Sequence, residues 1–265
     1  MKQLHILVYI KQVPDTEGPP DAFKVNQEAK RVVPVGIPPV INPFDESALE
    51  GAMRIKDRHG AKVTVISMGE KLAQPVLRKA LAAGSDDLIL LEDPLFKDLD
   101  SNSTAYVLSS IIRKVEPYDI ILTGRQAGDW DFGVTGLLMA EMLQIPCINL
   151  VRKVEIRDNG RVRVEKLSHN RCEVVEAPMP VLITASSELG ELRYTSIRAL
   201  KAVGMKPLKI YNAEDLGLDL RKLKVRQIVK LFTPYNRRQC RFIEGESSQE
   251  KGENLAVSLK KEGVI

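Results

Sequence analysis

The sequence predicts an α/β fold: a mostly parallel sheet with helices on both faces, an antiparallel edge hairpin and an extended C-terminal arm. Three observations carry that expectation. Short apolar segments with little polar alternation recur between residues 4 and 123, separated by helix-like segments, the texture of a parallel sheet buried on both faces. Asp158-Asn159-Gly160 then stands between two strand-like runs, a strong hairpin-turn signal. From about residue 206 the rhythm is lost.

The elements follow in order. Leu4 to Ile10 reads as a buried first strand, ended by a loop, Lys11 to Asp15, in which Pro14 blocks continuation. Residues 15–40 are polar and proline-rich, with room for a short hairpin near Lys24-Val25 and Arg31-Val32-Val33. Asn42-Pro43-Phe44-Asp45 announces a helix with Ala48, Leu49, Ala52, Met53 and Ile55 as its apolar stripe, and Asp45 is expected to cap its free amides. That helix stops at Gly60, and Lys62 to Ser67 makes the next strand. The alternation repeats as helix 71–83, strand 87–91, helix 103–115, strand 119–123 and helix 133–144. Leu150 to Ile156 and Arg161 to Lys166 flank the turn, Arg171 to Glu176 adds a third strand, and Pro180 to Ala185 returns to the apolar texture. Residues 1–205 therefore read as one α/β domain that includes a loop near 186–206. Residues 206–265 read as an arm with too few apolar residues for its own core, ending in a short helix near Gly263.

Composition narrows the function classes. The 39 basic residues are interspersed with 35 acidic ones, leaving a formal charge of +4, so no uniform field for nucleic acid is indicated. Cys147, Cys172 and Cys240 are far apart and form no C-x-x-C pair, and His5, His59 and His169 form no ligand motif, which argues against a disulfide framework and a metal site. The start, MKQLHILVYIKQ, has neither a leader's cleavage site nor a membrane-spanning run, and a reducing cytoplasm is the expected location.

The most informative stretch runs from Ile120 to Gly136. It leaves the carboxyl end of a predicted strand and enters a helix, the position at which open α/β sheets bind ligands. Its four glycines, Gly124, Gly128, Gly133 and Gly136, permit close approach of a ligand to backbone, and free amides at the helix start favour phosphate oxygens. Gln126 and Thr135 offer neutral hydrogen bonds and Arg125 offers charge. The stretch is neither a G-x-G-x-x-G fingerprint nor a Walker A loop, because no lysine follows the glycines at the required spacing. Nucleotide binding and an ordinary glycine-rich connection both remain open on this pattern. Asp129 and Asp131 have the chemistry to hold Mg²⁺, but no histidine or serine base accompanies them; the expectation is that one caps the following helix and the other orders the loop. Asn42 to Asp45 and Ser67-Met68-Gly69 also fall between apolar segments and helices and can line the same crevice. In Ser187 to Tyr194, Leu189 and Leu192 stand among charges, either as exposed docking anchors or turned inward.

Taken in order, ILVYIKQVPDT, INPFDESALEGA, VTVISMG, TGRQAGDWDFGVTG, APMPVLITA after the hairpin, and SSELGELRY resemble the electron-transfer flavoprotein β-subunit family over nearly the whole chain. The resemblance implies a parallel α/β domain paired with a larger α subunit that carries redox FAD. It also implies a nucleotide pocket formed here by Tyr9, Asn42, Pro43, Phe44, Asp45, Met68 and the loop Gly124, Arg125, Gln126, Ala127, Gly128, Asp129, Asp131, Gly133, Val134 and Thr135. In one branch of the family that pocket holds structural AMP. In the electron-bifurcating branch it holds a second FAD reduced by NADH, whose electrons divide between ferredoxin or flavodoxin and a path through the α-subunit FAD.

Val13-Pro14-Asp15-Thr16, Asp45, Arg125 and the Asp100 to Thr104 segment look more like the bifurcating branch, with Arg125 placed to stabilise a reduced flavin and Thr104 near the cofactor's polar linker. Two positions depart from it: Gly128 stands where isoleucine is usual, and Trp130 where a small residue is usual. The stretch 188–206 is similar to the family's recognition loop for acyl-CoA dehydrogenases, with Leu189 as anchor and Glu191, Arg193 and Tyr194 beside it, though it lacks the usual proline before Arg193. No side chain is expected to act as a covalent nucleophile.

Overall fold

The computed structural model describes residues 3–115, 117–169, 171–233 and 240–265. Strand β1 (His5–Ile10) lies in the interior of the sheet. Its residues alternate between two cores: Ile6, Val8 and Ile10 face one, Leu7 and Tyr9 the other. A strand covered on both faces needs apolar residues at every position, which is why the run lacks polar alternation. The loop expected after it contains a three-residue strand, β2 (Gln12–Pro14), which pairs antiparallel with β5 (Pro39–Ile41). Pro14 is tolerated because it closes a short two-stranded edge rather than entering the main sheet. Between them lies the expected hairpin, β3 (Phe23–Asn26) with β4 (Arg31–Pro34).

Helix α1 (Pro43–His59) ends at Gly60, whose φ of 66° is the left-handed conformation that terminates helices. Strand β6 (Lys62–Gly69) follows. The helix expected over 71–83 is two short turns, α2 (Gln74–Leu77) and α3 (Lys79–Ala82), interrupted at Arg78. Strand β7 (Asp87–Glu92) leads to α4 (Ser101–Ser110), capped by the Asp100 carboxylate on Ser103 N, and then to the single turn α5 (Ile112–Val115). Next come β8 (Ile120–Gly124) and α6 (Thr135–Leu143). The antiparallel ribbon is β9 (Cys147–Arg157), β10 (Arg161–Ser168) and β11 (Arg171–Pro178), after which β12 (Val181–Ala185) rejoins the parallel strands.

Helix α7 (Ile197–Val203) and strand β13 (Lys209–Tyr211) had no clear sequence signal, and β13 pairs with β7 as the far edge of the sheet. Three residues of pairing are too few to show a period. Ala213 and Leu216 beyond it are also buried against the domain, so the arm begins on this chain's own sheet. It ends in α8 (Ser248–Lys261), on which no residue is buried.

The nine-stranded sheet has the order β11-β10-β9-β12-β8-β1-β6-β7-β13. Helix α1 and the α2–α3 segment cover one face, and α4, α5 and α6 the other. From β1 the chain winds outward through β6 and β7, then returns to β8 on the other side of β1. The strand order therefore reverses between β1 and β8, and their carboxyl ends open a crevice there.

Leu189 takes the inward of the two orientations the sequence left open. It is 4% exposed and fills the notch left by Gly51 on α1, where an added Cβ would lie 2.6 Å from its Cδ2. The exposed large apolar residue of this stretch is Tyr194, at 87%. Arg193 fixes the segment to α1: its Nε donates to Glu50 at 3.0 Å and its Nη2 to Asp57 at 2.8 Å. Arg54 also holds it, through Glu50 and the Leu189 carbonyl. Burial alone would raise the Glu50 carboxyl, but the Arg193 bonds and charge outweigh it and leave it below its ordinary value.

Removing Arg193 with Arg193→Ala should cost about 1–3 kcal/mol at pH 7, read from urea midpoints. Because the folded carboxyl is depressed, the stability it contributes is present above its unfolded value of about 4.3 and is lost as pH falls through the folded value. The gap between the variants should shrink by pH 3; an equal gap at both pH values would contradict the role of the ion pair.

Candidate functional site

At the reversal between β1 and β8 lies a cavity of 420 Å³, within the range of about 300–1,000 Å³ common for small-molecule sites. Five segments build most of it. Tyr9 and Lys11 come from the end of β1, Asn42 and Asp45 from the start of α1, Met68 and Gly69 from the end of β6, and Thr104 from α4. Gly124, Arg125, Gln126, Ala127, Asp129, Gly133, Val134 and Thr135 come from the β8–α6 loop. Segments distant in sequence thus meet at one crevice because β1 pairs with β6 on one side and β8 on the other.

Asp45 ties these loops together. Its Oδ2 accepts from Lys11 N at 2.7 Å, at the end of β1, and its Oδ1 from Gly124 N at 2.9 Å, at the end of β8. This corrects the expectation of a capping aspartate. Helix α1 starts at Pro43 after Asn42, with no side-chain cap; Pro43 removes one amide that would need a partner, and Asp45 in the first turn reaches across to the strands instead. Burial pushes its carboxyl up to about 7, although the two amides and the nearby Lys11 charge favour the ionised form. Gly124 is required by the same contact, since an added Cβ would stand 2.4 Å from Asp45 Oδ1 and 2.7 Å from the Phe44 carbonyl carbon.

Asn42 holds the glycine-rich loop itself. Its Nδ2 donates to Gln126 O at 2.8 Å and its Oδ1 accepts from Gly128 N at 3.0 Å. The two loop aspartates do not cap α6, which starts after Val134 with no side-chain cap. Asp129 accepts the Lys11 ammonium at 2.6 Å, and Asp131 accepts Gln126 Nε2 at 2.7 Å. Both carboxylates are spent on shaping the loop, and the described residues contain no group of three or more His, Cys, Asp or Glu side chains able to hold a metal. The uncapped amides at the start of α6 remain at the cavity wall.

Of the sequence-predicted set, Pro43, Phe44, Gly128 and Asp131 do not line this cavity. The Phe44 ring carries the Arg125 guanidinium, 4.5 Å from its centroid. Arg125 Nε is buried and meets no acceptor among the described residues. Tyr9 lines the cavity with its ring while its hydroxyl donates to the Leu108 carbonyl at 3.0 Å, and burial raises its pKa, so it stays neutral. The lining residues that sequence reading did not place here include Lys11, Arg31, Asp98 and Arg226. Lys11 falls within the segment ILVYIKQVPDT without having been singled out, Arg31, Asp98 and Arg226 fall in no motif, and Arg226 arrives from the C-terminal arm. Trp130 lines the cavity too, stacked on Phe132 at 5.9 Å.

Asp45→Asn can accept on one side only and turns its amide toward a donor on the other. The expected loss is about 1–3 kcal/mol of folded stability by urea denaturation at pH 5. Because the folded carboxyl is raised above its unfolded value of about 3.9, its stabilising contribution is full below that value and declines as pH rises through about 7. Wild type should therefore lose stability relative to Asp45→Asn between pH 5 and pH 8, and parallel pH curves would disprove the assignment.

The family described as "Electron transfer flavoprotein domain" matches residues 31–216. The electron transfer flavoprotein subunit beta of Thermoanaerobacterium thermosaccharolyticum is 40% identical over 267 residues, covering 99% of this chain and 100% of that protein. The caffeyl-CoA reductase-Etf complex subunit CarD of Acetobacterium woodii is 33% identical, with 99% and 100% covered. Protein FixA of Azotobacter vinelandii is 32% identical, with 96% and 92% covered. A family match over most of the chain, joined to end-to-end relatives above 30% identity, shows that this chain belongs to the electron-transfer flavoprotein β-subunit family.

Proposed function

We propose that this chain is the β subunit of a heterodimeric electron-transfer flavoprotein that binds FAD in its own cavity and takes hydride from NADH there. Its electrons then divide between a ferredoxin or flavodoxin and an acyl-CoA dehydrogenase-type partner in the cytoplasm. The observation that carries this reading is Arg125. A guanidinium held on the Phe44 ring, with a buried Nε that no residue described here answers, is suited to a ligand that gains negative charge on reduction. The similarity to a subunit of a caffeyl-CoA reductase-Etf complex supports an acyl-CoA-directed assembly.

A bound flavin would supply the redox chemistry; the chain supplies position and electrostatics. Amides at the start of α6 and those of Gln126 and Ala127 would hold phosphate oxygens, Thr104 and Thr135 would donate to the polar linker, and Asn42, Asp45 and Lys11 would keep the loop rigid. The arm's exposed apolar side chains, among them Phe232, Phe242, Val257 and Ile265, would be covered by the α subunit. Residues 187–205 would receive the dehydrogenase, with Tyr194 and Ile197 as the exposed contacts over a base held by Leu189, Arg193 and Glu50. Glu191 on the same segment would add charge at the rim.

A second reading, with structural AMP in the cavity and electron transfer left to the α-subunit FAD, is favoured by Trp130, whose bulk occupies the cavity wall. Nucleotides released from the purified complex separate the two. Two FAD per heterodimer and no AMP is the expected outcome; one FAD with one AMP would establish the second reading. Arg125→Ala should lower FAD occupancy of this site or shift the flavin's potential negative, and an unchanged flavin content and potential would remove Arg125 from the mechanism. Tyr194→Ala should slow transfer at limiting dehydrogenase concentration several-fold without altering nucleotide content; unchanged transfer would place docking elsewhere.

A further inference from the structure

The β–α loops do not supply the whole wall of the cavity. Residues 222–226 of the arm, beyond β13, cross the N-terminal end of α4 and are knitted to it. Lys224 O accepts from Asp100 N at 2.8 Å, Lys224 N donates to Ser103 Oγ at 2.7 Å, and that hydroxyl donates to Lys222 O at 3.1 Å. Arg226 N donates to Asp98 O at 2.9 Å, and Leu99 bridges Val225. This stitching delivers the Arg226 side chain to the cavity, where its guanidinium carbon lies 3.9 Å from the Trp130 ring centroid.

The charge on Arg226 is poorly matched. Its ion pair among the described residues is with Asp98 at 3.9 Å, beyond hydrogen-bond reach, and Asp98 is shared with Arg31 at 3.6 Å. Two cations therefore share one half-exposed carboxylate at the cavity rim. Arg226 Nε is buried and meets no acceptor among the described residues. Stacking on Trp130 fixes the plane of the guanidinium, so its donors keep one orientation toward the cavity. A planar fork of donors held this way matches the oxygens of a phosphate.

We infer that Arg226 is an anion-binding residue of the cavity, carried by the C-terminal arm to engage a phosphate of the bound nucleotide, so that occupancy of the cavity holds the arm against α4. The inference rests on the nucleotide reading of the cavity given above. It also assigns Trp130 a role: the bulky ring is the platform on which the arginine is oriented. A site that recruits a residue from the arm adds a second link between arm and domain to the pairing of β13 with β7. Nucleotide loading and the position of the arm then bias each other, because any ligand that prefers the docked arm must also be held more tightly by it.

The test uses the purified assembly stripped of nucleotide, with adenosine, AMP and FAD titrated into wild type and Arg226→Gln. Arg226→Gln should weaken AMP and FAD about tenfold, the size expected for one charge-assisted hydrogen bond, and leave adenosine unchanged. Amide hydrogen exchange over residues 222–226 should slow on FAD binding in wild type and not in Arg226→Gln. Arg226→Lys, which keeps charge without the fork, should fall between them. Equal weakening of all three ligands would make Arg226 a purely structural clasp and overturn the inference, as would unchanged AMP and FAD affinity. If wild type binds none of the three, the nucleotide reading itself falls, and the inference with it; binding by wild type with no effect of Arg226→Gln removes the inference alone.

Discussion

One buried carboxylate holds the architecture of the site. Asp45 accepts the amide that ends β1 and the amide that ends β8, and so fixes the first turn of α1 across the line where the strand order reverses. Those amides lie at the carboxyl ends of their strands, and leaving a buried amide unmet costs about 1–3 kcal/mol. The carboxylate sits in the first turn of α1, where the helix dipole favours negative charge. The same contact leaves no room for a side chain at Gly124, so the close approach of the two loops and the identity of the glycine are one constraint.

The rest of the cavity follows from that closure. Asn42, one turn before Asp45, secures the glycine-rich loop by two hydrogen bonds, and Lys11, whose amide Asp45 holds, sends its ammonium to Asp129 in the same loop. Acidic groups that might have suggested hydrolysis are thereby consumed in positioning. What stays uncommitted at the cavity is cationic or amide in character: Arg125 on Phe44, Arg226 on Trp130, and the start of α6. A cavity of this polarity favours an anionic ligand bound through phosphate and backbone donors.

The segment after β12 shows a different division of labour. Leu189 is packed into the notch at Gly51 and Arg193 is tied to Glu50 and Asp57, so the base of the segment belongs to the domain. Tyr194 and Ile197 stand outward from that base. A rigid base with exposed apolar tips lowers the ordering cost of docking, which otherwise offsets much of an interface's gain.

Much of the fold was legible from residues alone, because strands buried on both faces require unbroken apolar runs, as in β1 and β12, and because Asn159-Gly160 selects a tight turn between β9 and β10. Gly60 marked the end of α1 for the same kind of local reason. The crevice was legible as well, since a glycine-rich segment between a strand and a helix is a local pattern. Local patterns do not report where a side chain goes once it leaves its own element. Asp45 looked like a helix cap and joins two strands, Leu189 was open between docking anchor and core and is buried, and Arg226, which carries no motif, reaches the cavity. The sequence by itself determined the class of sheet, the order of most elements and the loop at which a ligand would meet backbone amides, because each depends on neighbouring residues. Only the tertiary structure decided which distant groups complete that site, because the pairing of β1 between β6 and β8 and the crossing of the arm over α4 are long-range contacts without any period or motif.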